Sequence, residues 1–241
     1  MRFEQEFFVG IKDVGKENEI TNYAFLSFLE ETASLHSSYC GYGMKEIKTK
    51  GKAWILMDWK LEILNRAKYR DIVKVKTWAR PIERFNLYTY RDFEVYLGEE
   101  KIAIASSKWV LFDINMQKII KLSDEIFLPY EPEKVSVFKE KEISKLKEPE
   151  NKELKMLYKV KRSDIDVVKH MHNLNYLNLA YEVLPEDVYL KKEKNNVRIM
   201  YKNQIVLENN VNCYYTKQDD KDIITLKNED NTILHAIIEL S

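Results

Sequence analysis

The chain has 241 residues, with 39 basic and 39 acidic side chains, 45% apolar residues and 12% aromatic residues. Such a composition can bury a substantial core and argues against intrinsic disorder. The zero formal charge argues against bulk nucleic-acid binding, which draws on an excess of Lys and Arg.

In chain order, the opening residues carry Glu4 and Glu6 and no apolar h-region, so no secretory signal is expected. A short strand is predicted over Glu4–Val9. A helix follows from about Asn22 to Tyr39, with Phe25, Phe28, Leu29 and Leu35 at helical spacing. Asn22 reads as its N-cap, and Gly41 with Gly43 as its end. Strands are predicted over Ala53–Leu64, Ile72–Arg80, Phe85–Tyr96 and Lys101–Asn115, with a hairpin turn at 96–100. Pro129-Tyr130-Glu131-Pro132 reads as a turn-rich exit from a folded unit. The stretch 138–155, rich in Lys and Glu and interrupted by Pro149, reads as a charged linker between domains 1–137 and 156–241. Beyond it a strand is expected over Leu157–Lys161, then a helix from Asn173 to near Pro185. Four more strands follow at Val197–Leu207, Asn210–Tyr215, Ile223–Lys227 and Thr232–Leu240. No apolar run reaches about 18 residues, so no membrane span is expected. Cys40 and Cys213 are too few for a disulfide framework and are not spaced as a metal site. A cytoplasmic globular protein without metal or cofactor is the expectation.

The two parts resemble each other. A gapless shift of 151 positions pairs Phe7 with Tyr158, Asp13 with Asp164, Ile20 with Met171, Asn22 with Asn173, Phe25 with Tyr176 and Glu31 with Glu182. Each copy reads as a strand, a loop, one helix and an antiparallel meander. This is an α+β architecture in which a sheet must curl round the helix to bury its apolar stripe.

Several stretches resemble one family. Leu29-Glu30-Glu31-Thr32-Ala33-Ser34 with Gly41-Tyr42-Gly43, Trp54-Ile55-Leu56 with Trp59-Lys60, Tyr90-Arg91-Asp92-Phe93-Glu94 and Ala105-Ser106-Ser107-Lys108-Trp109-Val110 are similar to the acyl-acyl carrier protein thioesterases. So is the run from Arg162 through Asp164, Asp166 and His170 to Asn173 and Tyr176. The resemblance covers nearly the whole chain and implies tandem hotdog folds, each a curled antiparallel sheet wrapped round a central helix. It further implies hydrolysis of a fatty acyl thioester, an acyl-binding N-terminal copy and a catalytic C-terminal copy. Trp54, Met57, Trp59, Trp78 and Trp109 are candidate walls for the acyl chain, each also readable as plain core.

Thioester hydrolysis needs an attacking water, a base and donors for the developing oxyanion. Asp166 and His170 lie just ahead of the second helix, whose first N–H groups near Asn173 are free to face an oxyanion. Asp166 is read as accepting a proton from the water or orienting it, with His170 as a polarising or proton-shuttling partner. A cap pair is the plain alternative for such residues, yet the shift places Gly15 opposite Asp166 and Glu19 opposite His170, so the pair occurs in one copy alone. His172 reads as a helix-start residue, and His36 and His235 as structural.

The chain departs from the family at two points. Val168 stands where the resemblance implies asparagine. Gln204 and Ile205 stand where it implies an acidic residue, followed by cysteine in some members. Gln204 could hold a water but not act as a base, and Cys213 reads as a buried small hydrophobe. The alternative is therefore a weakened or inactive protein that binds acyl carrier or acyl-CoA. A hotdog hydratase is disfavoured, since the Gly-Asp-x-Asn-Pro-x-His pattern is missing. The implied partner is an acyl carrier protein, with acyl-CoA and a homodimer left open. Lys191, Lys192, Lys194, Arg198 and Lys202 form the best basic cluster for an acidic carrier.

Overall fold

Phe3, Gln5 and Phe7 turn inward while Glu4, Glu6 and Phe8 stay exposed, and this period-two alternation makes Phe3–Phe8 a strand, β1. The computed structural model describes residues 1–82 and 87–241, in two units, Met1–Ile143 and Ser144–Ser241.

In the first unit β1 is followed by β2 (Lys52–Ile63), β3 (Ile72–Ala79), β4 (Thr89–Leu97), β5 (Glu100–Asp113) and a three-residue β6 (Lys118–Ile120). The antiparallel order is β1-β3-β4-β5-β2, with β6 on β5. The expected start of the third meander strand, Phe85, lies outside the described residues. Gly98, at φ +57°, makes the expected β4–β5 turn, a conformation other residues adopt at a cost.

The first helix spans Asn22–Tyr39. Its N-cap is Thr21, not Asn22: the Thr21 hydroxyl accepts from Ala24 N–H at 3.1 Å, while the Asn22 amide oxygen accepts from Arg66 Nη2 at 2.8 Å. The helix buries Phe25, Leu26, Leu29, Ala33 and His36 against the sheet, and each large apolar side chain so buried contributes roughly 1.5–3 kcal/mol. Facing it across the strands runs a row of direct partners, Ala79, Arg91, Ser107 and Trp59. Arg91 Nη1 meets His36 Nδ1 at 2.7 Å.

The opposite face carries the row Trp78, Asp92, Ser106 and Lys60. Residues 135–143 cross this row. Trp78 Nε1 donates to Val135 O at 3.0 Å, Val137 N–H to Asp92 Oδ2 at 3.1 Å, and Ile143 N–H to Tyr90 Oη at 3.3 Å. Arg80, buried like Trp78, Tyr90 and Asp92, reaches Ser136 Oγ at 2.8 Å and Asp92 at 3.8 Å. Trp78 therefore packs away from the helix and is not a wall of the helix–sheet layer. Of the stretch read as a linker, 138–143 lie on the first unit and the remainder in the second.

The second unit contains β7 (Glu153–Lys159), β8 (Asn196–Tyr201), β9 (Asn210–Gln218), β10 (Lys221–Asn228) and β11 (Leu234–Leu240), ordered β7-β9-β10-β11-β8. This is the strand order of the first unit. Its helix spans Asn173–Glu182, and His172 is the N-cap, its ring Nδ1 accepting from Leu174 N–H at 3.3 Å. Two expected boundaries change. β7 begins at Glu153, inside the charged stretch. β8 ends at Tyr201 rather than Leu207, because Lys202 and Asn203 N–H both turn onto the His235 carbonyl, at 2.8 and 3.3 Å. Gln204 thus lies in a loop and not in a strand.

The repeat recurs bond by bond. Asp13 Oδ2 accepts from Gly10 N–H at 2.8 Å, and Asp164 Oδ2 from Lys161 N–H at 2.7 Å. Thr21 N–H donates to Asp13 O at 2.9 Å, and His172 N–H to Asp164 O at 2.8 Å. Gly15 N–H donates to Glu19 O at 2.9 Å, and Asp166 N–H to His170 O at 2.8 Å.

Candidate active site

Between the short turn Arg162–Asp164 and the second helix the chain reverses over Asp166–His170. The reversal requires Lys169 at φ +67°, where its counterpart Asn18 has φ +57°. Asparagine tolerates that region, whereas for lysine it costs roughly 1–2 kcal/mol. Asp166 offsets this cost: its Oδ1 accepts from Val168 N–H at 2.9 Å and His170 N–H at 3.1 Å. Gly15, with no side chain, makes the same reversal through its backbone alone. Two fixed bonds on Oδ1 orient the carboxylate and leave Oδ2 without a hydrogen bond among the described residues.

Asp166 and His170 are both half-buried, and their contacts run through the loop backbone. At the helix start, the N–H of Leu174 is taken by the His172 ring and that of Asn175 by His172 O at 2.9 Å. The N–H and the side-chain amide of Asn173 carry no hydrogen bond among the described residues. Asn173, rather than a set of helix amides, is therefore the donor on offer here.

Gln204 is held against this loop by its neighbours. Met171 N–H donates to Ile205 O at 2.8 Å, and His170 pairs with Val206 as an antiparallel bridge. Ile205 N–H donates to Tyr176 Oη at 3.2 Å. The Gln204 side chain is exposed. His235, buried beneath the loop, lies 3.1 Å from Asn203 O through Nδ1. A carbonyl can only accept, so Nδ1 carries the hydrogen and the ring anchors the loop. Burial holds the His235 pKa below its ordinary value.

These bonds place Asp166 and His170 beside the Gln204 loop, with Asn173 at the start of the helix that follows. Val168 presents its side chain partly to solvent, 39% exposed, and contributes only its N–H. Cys213 lies in β9, fully buried, its thiol pushed up to about 12 by burial, so it supplies no thiolate. Among the described residues no three His, Cys, Asp or Glu side chains gather as a metal-ligand set. No helix among them is long and apolar enough to cross a membrane.

Tyr176 belongs to the matching stretch, but the sequence reading gave it no role of its own. It is 3% exposed, and burial raises its phenol pKa, opposed by the Ile205 N–H bond and reinforced by the charge of Asp166. The signal was present in the repeat, where Phe25 of the first copy becomes Tyr176 in the second.

Comparison with known proteins follows the same division. The acyl-ACP thioesterase N-terminal domain family matches residues 1–130, and the C-terminal domain family residues 146–238. An oleoyl-acyl carrier protein thioesterase of Coriandrum sativum is 24% identical over 246 residues, 94% of this chain and 66% of the relative. An oleoyl-acyl carrier protein thioesterase 2 of Arabidopsis thaliana is 24% identical, covering 92% of this chain and 65% of the relative. Both are chloroplastic, and the chain spans just under two thirds of their length. Among solved structures, an acyl-ACP thioesterase from Bacteroides thetaiotaomicron superposes with TM-score 0.87 at 18% identity, covering 99% of this chain and 96% of that one. A 12:0-ACP thioesterase from Umbellularia californica gives TM-score 0.87 at 16% identity, covering 100% and 96%. At those identities the superpositions establish the fold.

Proposed function

Because the chain belongs to the acyl-ACP thioesterase family, with tandem hotdog folds, we propose that it hydrolyses the thioester of a fatty acyl-acyl carrier protein and releases the free fatty acid. The observation that carries this reading is the anchored carboxylate of Asp166, fixed through Oδ1 by two backbone N–H groups with Oδ2 left over for a water.

In this scheme Asp166 Oδ2 takes a proton from water as the water oxygen bonds to the thioester carbonyl carbon. Asn173, through its N–H and amide, faces the oxygen on which negative charge develops. The carbon–sulfur bond then breaks, and the proton that Asp166 took from the water passes by way of His170 to the departing thiolate, which leaves as the thiol. Gln204 helps hold the water. The first unit supplies the helix–sheet layer for the acyl chain, with Trp59 on its helix-facing side and Trp54, whose Nε1 donates to Tyr130 Oη at 2.9 Å, beside it. Acyl carrier protein is the partner we favour over acyl-CoA, and Lys191, Lys192, Lys194 and Lys202 offer its acidic surface a basic face. Two unpaired thiols, Cys40 and Cys213, suit a reducing compartment such as the cytoplasm.

Gln204 at the position where the family resemblance implies an acid favours one second reading, a protein that binds acyl carriers and does not cleave them. Acyl carrier and acyl-CoA thioesters of graded chain length decide between the two when thiol release and binding are followed together. Thiol release that Asp166→Asn abolishes supports hydrolysis. Tight binding without release overturns it.

A further inference from the structure

We propose that Tyr176 is a positioning residue of the thioester site: its phenolic oxygen holds the Ile205 backbone, and with it Gln204, beside Asp166, while its hydroxyl hydrogen steadies the water that Asp166 deprotonates. This role rests on the hydrolase reading above.

The hydrogen-bond directions are set by chemistry. Ile205 N–H can only donate, so Tyr176 Oη is the acceptor in the 3.2 Å contact. The phenol keeps its own hydrogen, which has no acceptor among the described residues although the side chain is 3% exposed. Buried donors are almost always satisfied, by protein or by water, so this hydrogen calls for a water or a substrate oxygen. The charge of Asp166 reaches the same hydroxyl and raises its pKa, after burial, which keeps the phenol a donor. The ring is packed on one side as well as bonded at its tip. Tyr201 packs edge-on at 5.2 Å and 85°, and donates its own hydroxyl to Asn173 O at 3.1 Å.

The first copy shows what the second gave up. There the corresponding residue is Phe25, and the loop is tied to the helix start by Arg66, which donates to Ile20 O and Asn22 Oδ1 at 2.8 Å each. That arrangement occupies the helix-start asparagine. In the second copy the tie runs through Tyr176 instead, Gln204 replaces Arg66, and the Asn173 amide stays unoccupied. One tyrosine hydroxyl therefore does the docking without blocking the place where a thioester carbonyl would sit.

A double-mutant cycle on the full chain tests this, with kcat and KM measured on one acyl carrier thioester and thermal melts confirming folding. Tyr176→Phe is expected to lower kcat about 10- to 100-fold, the range that small misplacement of reacting groups produces, with KM within about twofold. In an Asp166→Asn background the same change should cost less than about twofold, since a residue acting through Asp166 has nothing left to position. Equal factors in both backgrounds, or an unchanged kcat in the single variant, would overturn the role. If Asp166→Asn abolishes turnover while Tyr176→Phe does not affect it, only this inference fails. Absence of thiol release by the unsubstituted protein removes the hydrolase reading and this role with it.

Discussion

Arg66 and Gln204 stand at the same station of the two repeats, one residue ahead of the carbonyl that receives the N–H of Ile20 or Met171, at 2.8 Å in both. Arg66 is buried with its guanidinium committed to Ile20 O and Asn22 Oδ1, whereas Gln204 is exposed. The same substitution should therefore read out differently. Arg66→Ala is expected to lower unfolding free energy by about 3 kcal/mol, since it removes two charge-assisted bonds and leaves their partners buried. Gln204→Ala should change stability by less than about 0.5 kcal/mol, and show its effect in turnover. Urea midpoints for both variants check the pair, and equal destabilisation would contradict the asymmetry.

Asp166 carries two roles that two substitutions separate. Asp166→Asn keeps Oδ1 as the acceptor for Val168 and His170 N–H, so the loop should fold with a stability change below about 1 kcal/mol. Thioester turnover should fall about 10²- to 10⁴-fold, the usual contribution of a positioned base. Asp166→Ala removes the acceptor as well and should cost a further 1–2 kcal/mol or so of stability. Turnover retained in the asparagine variant would exclude Asp166 as the base.

The architecture was legible because it was written twice. Phe25 with Tyr176 and Leu26 with Leu177 repeat the helix stripe, and the alternating strands repeat behind it. Local competition was not legible. Thr21 won the N-cap from Asn22 because Arg66, distant in sequence, claimed the Asn22 amide. β8 stopped early because one carbonyl of β11, that of His235, captured two successive N–H groups. Neither event leaves a mark in hydrophobic periodicity. At the candidate site, Asp166, His170 and Asn173 were singled out by motif, and the structure places them in one loop and the helix start that follows it. The hydroxyl of Tyr176 was missed because an aromatic residue at a core position looks complete without it.

The layer under residues 135–143 should be the most fragile part of the first unit. Arg80 and Asp92 are 4% and 0% exposed in side-chain terms, and Asp92 also accepts from Val137 N–H. Burial raises the Asp92 pKa, and Arg80 opposes it. Arg80→Met removes the cation and leaves the buried carboxylate without a counter-charge, which costs about 3–5 kcal/mol. Pairing it with Asp92→Asn should recover much of that loss. A double variant no more stable than the single one would show that Arg80 acts through Ser136 and the strap backbone instead.

Val168 marks the clearest departure from the resemblance and is easily reversed. Its side chain is 39% exposed and its N–H already serves Asp166, so Val168→Asn should fold with little change in stability. An amide there adds a donor and an acceptor beside the anchored carboxylate. Removal of one such donor commonly costs about 10²- to 10³-fold in turnover, and a gain of at least about tenfold is expected on restoring it. Unchanged kcat would mean that another group already fills the role.

His36 gives the first unit an acid sensitivity that can be isolated. It is fully buried, and Arg91, which can only donate, occupies Nδ1 at 2.7 Å, so the ring is the neutral tautomer with hydrogen on Nε2. Burial, then the charges of Arg91 and the N-terminus, hold its pKa down at about 3. Phe3 stacks on it at 5.2 Å, and Tyr130 meets it edge-on at 5.4 Å. In the unfolded chain the ring titrates near its ordinary value of 6.5. Below that pH the unfolded state binds a proton that the folded state refuses, so stability falls as pH drops from about 6.5 toward 3 and is unaffected above. Each pH unit costs at most about 1.4 kcal/mol. His36→Gln retains an acceptor for Arg91 and removes the titration. Between pH 7 and pH 5 the unsubstituted protein should therefore lose about 2 kcal/mol more than the variant in urea unfolding. The His235 contribution is common to both proteins and cancels. Parallel stability curves would mean that His36 takes up its proton within the folded unit.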